Sequence, residues 1–378
     1  MAGLFNSFIL GGYECADHIN RSGERINLLF ETEHHTRVYE DYYLLSSAGI
    51  KTVREGICWS YVERSPYTYD FSEVLNRINA ARHYGIQQIW DVCHFGYPDD
   101  LIPTHPKFAH RFEALCKAFA LFYKKHCNQQ LLVCPINEIS FLSWHSGDVR
   151  GTVPFAINSG FDIKYHLCKA AIAGIQALKD VLPDCRILTI EPLIKIHPRN
   201  NEDVSQLNED QFQAMDMIAG RMCPELGGCE DYLDVLGFNY YFNNQWEHQG
   251  QPLPWPEYET KREALSTLLY KAVKRYNRPS FLSETGHFNY GRSLWLQEIW
   301  QELKILLNTD VDFQGMCLYP LIERPDWDDL TNLHKSGLWD FKDPADRARV
   351  VHKPSLDVLL EIQRELVELK SGAAIKAA

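Results

Sequence analysis

The stretch FAHRFEALCKAFALFYKKHCNQQLLVCPI, residues 108–136, decides the fold. From Phe108 to Phe122, large apolar residues recur at spacings of 4, 3, 4 and 3, which places one apolar stripe along one face of an α-helix. The final part, LLVCPI, is a short and continuously apolar run, as expected of a strand that is buried on both faces. The stretch therefore predicts a helix that covers a neighbouring parallel strand.

The same alternation continues along the whole chain. Short apolar runs lie at 7–12, 51–59, 86–94, 130–136, 185–190, 233–240, 279–284 and 313–319. Amphipathic patterns separate them, and a last one opens after Pro354. Eight strand–helix units predict an α/β protein with a closed (β/α)8 TIM barrel as its single domain. A doubly wound open sheet is the alternative, but it requires a GxGxxG turn after the first strand, which Gly11-Gly12-Tyr13-Glu14 does not supply.

Composition and charge exclude several classes of partner. The chain has 378 residues, of which 45% are hydrophobic, and no Ser/Gly-rich linker divides it. We expect residues 1–370 to form the barrel and 371–378 to be a flexible C-terminal tail. Fifty acidic against 38 basic residues give a net charge of -12, which repels nucleic acids and anionic membranes.

The apolar segments and the cysteines indicate a compartment. No apolar segment reaches the roughly 18 residues of a membrane span, and the first residues lack the basic region of a signal peptide. The eleven cysteines lie mostly in strand-like runs, which favours reduced, buried thiols. We therefore expect a cytoplasmic protein, and the sequence does not indicate its oligomeric state.

Two of the apolar runs end in glutamates. The fourth run is followed by Asn137-Glu138, and the seventh run ends in Glu284. Catalytic groups of a barrel lie where strands end, so both glutamates should face one opening. Two carboxyl groups about 5 to 5.5 Å apart can hydrolyse a glycoside with retention, one as nucleophile and one as acid and then base. Either glutamate alone could be a solvated charge at a strand end, but this explanation fits the pair poorly.

The ordered set of motifs resembles the retaining β-glycosidases of glycoside hydrolase clan A, and it is most similar to family one. The motifs are HTRVYED at 35–41, AGIKTVREGICWS at 48–60, Asn137-Glu138, GFNYY at 237–241 and SETG at 283–286. The resemblance covers most of the barrel. It implies a β-glycoside as substrate, with neither cofactor nor metal.

The resemblance also implies how the two glutamates divide the reaction. Glu284 matches the nucleophile, and Glu138 matches the acid/base. Arg54 and Tyr241 would donate hydrogen bonds to Glu284 and keep it ionised. The negative charge of Glu284 and a less polar surrounding would keep the proton on Glu138. The reaction needs one ionised and one protonated carboxyl group at the same pH.

Further residues are expected to bind the sugar. By resemblance, Asn137 binds the hydroxyl next to the anomeric carbon, and His94 matches a sugar-binding histidine, although it could also be a core residue. Asn239 would place either the tyrosine that supports the nucleophile or the sugar. Glu14 ends the first strand without a match to the family pattern, and we expect it to contact outer hydroxyls. Glu191, which closes the fifth run, is a further carboxylate that could contact substrate.

The last strand departs from the family. Tyr319 stands where a tryptophan platform is usual, and Asp326-Trp327 replaces Glu-Trp, so the identity of the sugar stays open. We expect all three residues to contact the substrate. Aromatic residues in the expected loops favour a blind pocket and hence exo action. These residues are Trp144, Trp246, Trp255, Trp327 and Trp339.

Three other functions use parts of the same pattern. A transglycosidase would pass the sugar to a sugar or alcohol instead of water. A non-catalytic barrel would bind a carbohydrate without cleaving it. A metal-dependent barrel hydrolase usually carries His-x-His on its first strand, whereas His34-His35 lies at a helix start away from a strand end. The interpretation that uses all the motifs is a retaining, exo-acting β-glycosidase similar to β-glucosidases.

Overall fold

Eight parallel strands close into a barrel in a computed structural model that describes residues 3–256 and 261–377, with side chains as far as residue 369. The strands are β1 (Ile9–Gly12), β2 (Thr52–Gly56), β3 (Gln87–Cys93), β4 (Leu132–Ile136), β5 (Arg186–Pro192), β6 (Val235–Asn239), β7 (Ser280–Thr285) and β8 (Phe313–Leu318). Each strand pairs with its neighbours in sequence, and β8 closes on β1 through the pair Leu10 and Cys317. The predicted (β/α)8 barrel is confirmed.

Helices follow the strands and form the outer layer. They are α1 (His34–Ser47), α2 (Ser72–Tyr84), α3 (Phe108–His126), α4 (Ile139–Gly147), α5 (Gly160–Val181), α6 (Gln213–Ile218), α7 (Leu265–Tyr276), α8 (Gly291–Leu307) and α9 (Lys353–Ala377). The apolar stripe of residues 108–122 is buried on α3 from Phe108 to Phe119, and Phe122 is partly buried. The backbone of α9 enters the segment 371–378, Ala378 lies outside the described residues, and the flexible tail stays a prediction.

Shorter elements lie in the connections between the barrel strands and the helices. Short helices lie at Leu28–Glu31, Trp59–Val62 and Ser205–Glu209, and 3-10 turns at Asp210–Phe212, Pro224–Leu226 and Glu230–Tyr232. Four small ladders pair Glu63–Ser65 with Thr68–Tyr69, Lys195–His197 with Gln245–Glu247, Arg324–Pro325 with Leu333–His334, and Trp339–Phe341 with Arg349–Val351. The last two ladders build the loop between β8 and α9.

The second strand is shorter than the apolar run predicted. The run 51–59 gives a strand only to Gly56, because Cys58 adopts a φ of 56° and the chain turns into the short helix Trp59–Val62. Trp59 is buried there and donates its indole N–H to Glu63 Oε2 at 2.6 Å. An aromatic residue that packs beside a strand thus extended the apolar pattern beyond the strand itself.

Side chains on the strands alternate between the inside of the barrel and the helical layer. Leu10, Ile89, Leu132 and Leu188 belong to an inner apolar cluster. The neighbouring position on β3, Trp90, packs outward against Phe119 of α3 at a ring distance of 6.0 Å. Apolar side chains therefore fill the barrel interior at the level of this cluster. Polar side chains that point into the barrel lie nearer the strand ends.

Two expectations from composition can be compared with the structure. All eleven cysteines are free thiols, and eight of them are buried. Within the ranges that the structure describes, no helix has both the length and the apolar character required to cross a bilayer.

Candidate active site

The polar residues predicted from the sequence converge where the strands end. His94 follows β3, Asn137 and Glu138 follow β4, Asn239 ends β6, and Glu284 is the penultimate residue of β7. Because all eight strands are parallel, these ends form one rim of the barrel. A chain of hydrogen bonds joins most of these side chains to one another.

Glu284 is surrounded by hydrogen-bond donors. Arg54 Nη1 donates to Glu284 Oε1 at 2.8 Å, and Tyr241 Oη donates to Oε2 at 2.7 Å. Asn137 Nδ2 adds a longer contact to Oε1 at 3.4 Å. Burial and then the charge of Glu284 raise the pKa of Tyr241 well above its usual range, so the phenol keeps its proton and donates. Both expected hydrogen bonds to Glu284 are present, and they favour a buried carboxylate that is ionised.

Arg54 is itself fixed by a residue that the motifs did not reveal. Its Nη2 donates to Asp91 Oδ2 at 2.6 Å and to Asn137 Oδ1 at 3.1 Å. The same Asp91 oxygen lies 3.0 Å from His94 Nδ1. Burial opposes ionisation of Asp91, but the charges and hydrogen bonds of Arg54 and His94 together outweigh burial and lower the pKa of Asp91. The signal in the sequence was a carboxylate inside the otherwise apolar run IWDVC, because a charge buried in a barrel needs a partner.

Glu138 has a different environment from Glu284. Only 9% of it is exposed, and among the described residues its one hydrogen bond from a side chain is donated by Asn239 Nδ2 to Oε1 at 2.9 Å. Burial and then the nearby charge of Glu284 raise the pKa of Glu138 well above its usual range. The hydrogen bond from Asn239 and the charge of Arg54 oppose this rise without cancelling it. Glu138 therefore holds a proton under conditions in which an exposed glutamate is ionised.

The structure gives Asn239 a partner that the sequence did not indicate, and its expected contact with the sugar stays a prediction. The sequence assigned it to the supporting tyrosine or to the sugar, whereas the structure places it between Glu138 and Ser283, whose Oγ donates to Asn239 Oδ1 at 2.6 Å. The reason is a bulge in β7: Leu282 pairs with Phe238, and Glu284 already pairs with Asn239, which leaves Ser283 as the extra residue. Such a bulge redirects side chains, and here it turns Ser283 toward Asn239.

His94, Tyr319 and Glu14 form a second group of side chains at this rim. The rings of His94 and Tyr319 are stacked with an interplanar angle of 4° and centroids 5.9 Å apart, and Tyr319 Oη donates to Glu14 Oε1 at 3.3 Å. Gly12 makes room for this arrangement, because a Cβ atom there would lie 2.3 Å from the Tyr319 ring. Arg324, which the sequence did not single out, pairs with Glu14 at 3.1 Å. A sugar contact through Glu14 would therefore engage an ion pair.

Trp327 and Asp326 lie farther out and differ in availability. The centroid of the Trp327 ring lies 4.5 Å from that of His18 and 5.5 Å from that of Phe95. The ring centroids of Phe95 and His94 are 4.7 Å apart. Asp326 instead accepts backbone N–H groups of its own loop on Oδ1 and lies 2.8 Å from His334 through Oδ2. Asp326 thus fixes the loop that presents Trp327, and its expected contact with sugar stays a prediction.

Three ring nitrogens around Trp327 are buried without a hydrogen-bond partner among the described residues. They are Trp327 Nε1, His18 Nδ1 and His145 Nδ1. Burial lowers the pKa of His18 to about 3, so its imidazole stays neutral. An unpaired buried polar group costs about 1–3 kcal/mol, which a hydroxyl-bearing ligand can recover. His18 and His145 carried no signal in the sequence, because no motif marks them.

The tryptophans expected around the opening do not all reach it. Trp144, on α4, is 48% exposed, and Phe141 joins it to Trp327 through ring distances of 5.8 and 6.2 Å. Trp255 instead packs edge-on against Trp295 at 5.2 Å, and Trp339 is buried in a small ladder. The aromatic wall of the opening therefore includes Phe141, Trp144 and Trp327.

One group of potential metal ligands occurs among the residues that the structure describes. Atoms of Cys15, Asp91 and His94 lie within 4.8 Å of one another, and all three residues are buried. The Asp91 carboxylate already contacts the Arg54 guanidinium and His94. A cation would have to compete with Arg54, so the group fits a hydrogen-bonded support better than a metal centre.

A separate cavity of about 510 Å³ lies beside the loops that follow β2 and β3. Arg25, Tyr61, Arg64 and Arg111 line it, and neither Glu138 nor Glu284 does. Its charges are largely paired within the protein, for example Arg111 with Glu63 at 3.1 Å. The cavity is therefore not part of the carboxylate site.

Solved structures of β-glucosidases share this fold. The family 1 β-glucosidase from Thermotoga maritima superposes with a TM-score of 0.75 at 14% identity, covering 94% of this chain and 97% of its own. The β-glucosidase from the same organism in complex with deoxynojirimycin gives 0.74 at 14% identity over 95% and 98%. In complex with glucoimidazole it gives 0.73 at 14% over 88% and 87%.

Comparison by sequence gives no match of this kind. No family model matches it, and no curated protein matches it significantly. The superposition shows a shared barrel fold, and at 14% identity it shows nothing about activity. The activity must therefore be argued from the site.

Proposed function

We propose that this protein is a retaining, exo-acting β-glycosidase that hydrolyses a terminal β-linked sugar by double displacement through a covalent glycosyl-enzyme intermediate. The observation that carries the proposal is the contrast between Glu284 and Glu138. Both are buried at one rim, but donors surround Glu284, whereas burial and a neighbouring negative charge keep Glu138 protonated. This pair of protonation states is what a retaining glycosidase requires of its two carboxyl groups.

In the first step Glu284 attacks the anomeric carbon through a carboxylate oxygen. The bond from that carbon to the glycosidic oxygen breaks, and Glu138 gives its proton to the departing oxygen. Arg54 and Tyr241 hold the attacking carboxylate in place through their hydrogen bonds. Asn137, whose amide already reaches Glu284 and His94, is placed to bind the hydroxyl next to the reacting carbon.

In the second step Glu138 changes its role. Formation of the ester removes the charge of Glu284, which is the second-largest cause of the raised pKa of Glu138. Glu138 can then stay ionised and accept a proton from water as the water oxygen bonds to the anomeric carbon. Cleavage of the ester returns Glu284 as a carboxylate.

The side chains beside the glutamates support a sugar as the ligand. Tyr319, His94 and Glu14 offer ring faces and hydrogen-bonding groups, and the ring nitrogens around Trp327 lack partners among the described residues. Deep burial of both glutamates favours a single terminal sugar over the middle of a polymer. The names of the structural neighbours make a β-glucoside the first substrate to test.

Azide rescue tests the assignment of the two carboxyl groups. With an activated aryl β-glycoside, Glu284→Ala plus azide should yield an α-glycosyl azide, because azide attacks in place of the missing nucleophile. Glu138→Ala plus azide should yield a β-glycosyl azide, since this variant still forms the intermediate. Swapped or identical products would refute the roles. A screen of glucoside, galactoside, mannoside, fucoside and xyloside selects the substrate.

Product analysis tests exo action and hydrolysis together. Digestion of a β-linked oligosaccharide should release a monosaccharide as the first product, whereas internal fragments as the first species would overturn exo action. The same digestion with an added sugar acceptor separates hydrolysis from transglycosylation. Transfer products that dominate without added acceptor would replace the hydrolase by a transglycosidase.

A further inference from the structure

Strand β5 holds the backbone on both sides of Glu138. The N–H of Glu138 donates to the carbonyl oxygen of Ile190 at 3.0 Å. Two residues farther along the chain, the N–H of Ser140 donates to Glu191 Oε2, also at 3.0 Å. Two adjacent residues of one strand therefore fix the segment that presents Glu138.

This fixation matters because Glu138 has an unfavourable backbone conformation. Its φ of 46° and ψ of 59° lie in the left-handed region. For a residue with a side chain this conformation costs about 1–2 kcal/mol and persists only where the surroundings enforce it. The hydrogen bond from Ser140 to Glu191 stabilises the first turn of α4, directly after the strained residue.

Glu191 does not face the sugar site. It is 1% exposed, and it interacts with Lys164 and Cys168 of α5, which lies outside the barrel. The positive charge of Lys164 acts on Glu191, and the Lys164 ammonium group donates to Gln213 Oε1 at 2.8 Å. The second carboxylate oxygen, Oε1, has no partner among the described residues. The earlier expectation of a direct substrate contact therefore finds no support.

The charge of Glu191 reaches Glu138. The charged groups that act on Glu138 are Glu284 from β7, Glu191 from β5 and Arg54 from β2, and Tyr241 also faces it. Burial raises the pKa of Glu191 itself to about 7, against the hydrogen bonds from Ser140 and the charge of Lys164. Once Glu191 is ionised, its negative charge raises the pKa of Glu138 further.

We propose that Glu191 is a positioning residue for the acid/base: its carboxylate fixes the backbone that presents Glu138, and its charge helps to keep the proton on Glu138. This inference rests on the proposed glycosidase function. Glu191 acts only through Glu138 and touches neither substrate nor the reacting atoms.

Substitution of Glu191 by glutamine separates charge from structure. Glu191→Gln keeps an oxygen that accepts the Ser140 N–H and removes the negative charge. The pKa of Glu138 should then fall, and the alkaline limb of kcat/KM should move to lower pH by roughly half a unit to one unit. Glu191→Ala removes the acceptor as well and should also lower kcat for substrates with poor leaving groups.

A matched control removes a buried carboxylate elsewhere. Glu323 is also 1% exposed, and it accepts the backbone N–H of Phe341 at 2.6 Å, but it lies in the loop after β8. Glu323→Gln should leave the alkaline limb where it is in the wild type. An unmoved limb in Glu191→Gln, or an equal shift in Glu323→Gln, would overturn the inference.

A measurement that needs no turnover distinguishes the two proposals. Titration of ¹³C-labelled glutamate carboxyl groups by NMR, with the Glu138 signal assigned through Glu138→Gln, should show a lower pKa of Glu138 in Glu191→Gln. An unchanged titration would contradict the role of Glu191 even in an active enzyme. A shifted titration in a protein that cleaves no glycoside would support the role of Glu191 and defeat the glycosidase proposal.

Discussion

Arg54 and Glu55 are neighbouring residues of β2 and point to opposite faces of the strand. Each belongs to a separate buried cluster of charged residues. Outside the barrel, Glu55 Oε1 accepts from Tyr42 Oη at 2.6 Å and lies 2.9 Å from His34 Nε2. Its other oxygen accepts from Arg77 Nη1 at 2.8 Å. Burial opposes ionisation of Glu55, but the charges of His34 and Arg77 together with the hydrogen bonds from His34 and Tyr42 outweigh burial and lower the pKa of Glu55 to about 2.

Inside the barrel, the cluster around Arg54 includes a carboxyl group, Glu138, that forms no ion pair among the described residues. Arg54 forms ion pairs with both Asp91 and Glu284, whereas Glu138 has the amide of Asn239 as its one side-chain hydrogen-bond donor among the described residues. The pKa of Glu138 is accordingly raised, chiefly by burial and then by the charge of Glu284. The comparison teaches that complete pairing makes a buried cluster structural, and that an unpaired carboxyl group beside a paired one can do acid/base chemistry.

The largest expected effect comes from removing the ionised member of the inner pair. Glu284→Ala should lower kcat/KM on an aryl β-glycoside by a factor on the order of 10⁴ or more, because no group remains to form the ester. The melting temperature, measured beside the rate, shows whether the variant is folded. A folded variant that keeps activity within tenfold of the wild type would remove Glu284 from the reaction.

Removing the protonated member should act selectively. Glu138→Ala should lower kcat/KM by about 10²–10⁴ for a substrate with a poor leaving group, which needs a proton from the enzyme. Dinitrophenolate leaves without needing that proton. With a dinitrophenyl glycoside, the rate of forming the intermediate should therefore fall far less. The wild-type rate should fall as alkaline pH removes the proton from Glu138, and this limb should vanish in the variant. Equal losses on both substrates would contradict a general acid.

The outer cluster should respond in stability instead of rate. Glu55→Ala leaves Arg77 buried without its anion and removes one of the two carboxylate partners of His34, and it should cost about 3–5 kcal/mol in the free energy of unfolding. Denaturant titration measures this loss, and kcat per folded molecule should stay near the wild-type value. A variant with normal stability but lost activity would reverse the division between the two faces.

The acid stability of the wild type has a definite sign. The pKa of Glu55 is about 2 in the folded state against an ordinary value of 4.5, so its contribution is complete above about pH 4.5. That contribution is lost as the pH falls toward 2. Denaturant midpoints measured over this window should decrease with falling pH, and less steeply in Glu55→Ala.

The smallest effects come from one chemical change made on each face. Tyr241→Phe removes a donor to Glu284, and a hydrogen bond to a charge is worth about 1.5–3 kcal/mol, so kcat/KM should fall roughly 10- to 100-fold. Tyr42→Phe removes a donor to Glu55 and should lower the free energy of unfolding by a similar amount, with little change in rate. If kcat/KM falls equally in the two variants, the clusters on the two faces do not have separate roles.

The fold was predictable because it depends on local patterns. Residues 131–136 are continuously apolar because both faces of the strand are covered, and the spacing of apolar residues on α3 predicts the buried face of that helix. The positions of Glu138 and Glu284 followed from the strand ends, because parallel strands bring their ends to one rim. The limits of β2 were less accurate, since Cys58 and Trp59 continue the apolar run after the strand has ended.

The partners inside the site were harder to predict. Asp91 was visible as a charge in an apolar strand, but its contact with Arg54 depends on the register of β2 and β3. The bond from Asn239 to Glu138 depends on a bulge at Ser283, which no residue pattern marks. Arg324 comes from a long loop whose path is set by distant packing. Contacts across the barrel thus required coordinates, whereas the chemistry of the strand ends did not.

The stereochemistry of the wild-type reaction gives the most direct test of the account. Proton NMR during hydrolysis of a good aryl β-glycoside reports which anomer of the free sugar forms before mutarotation mixes the two. Attack by Glu284 followed by water on the opposite side predicts the β-anomer as the first product. The α-anomer as the first product would mean a single displacement by water, and Glu284 could not then be the nucleophile.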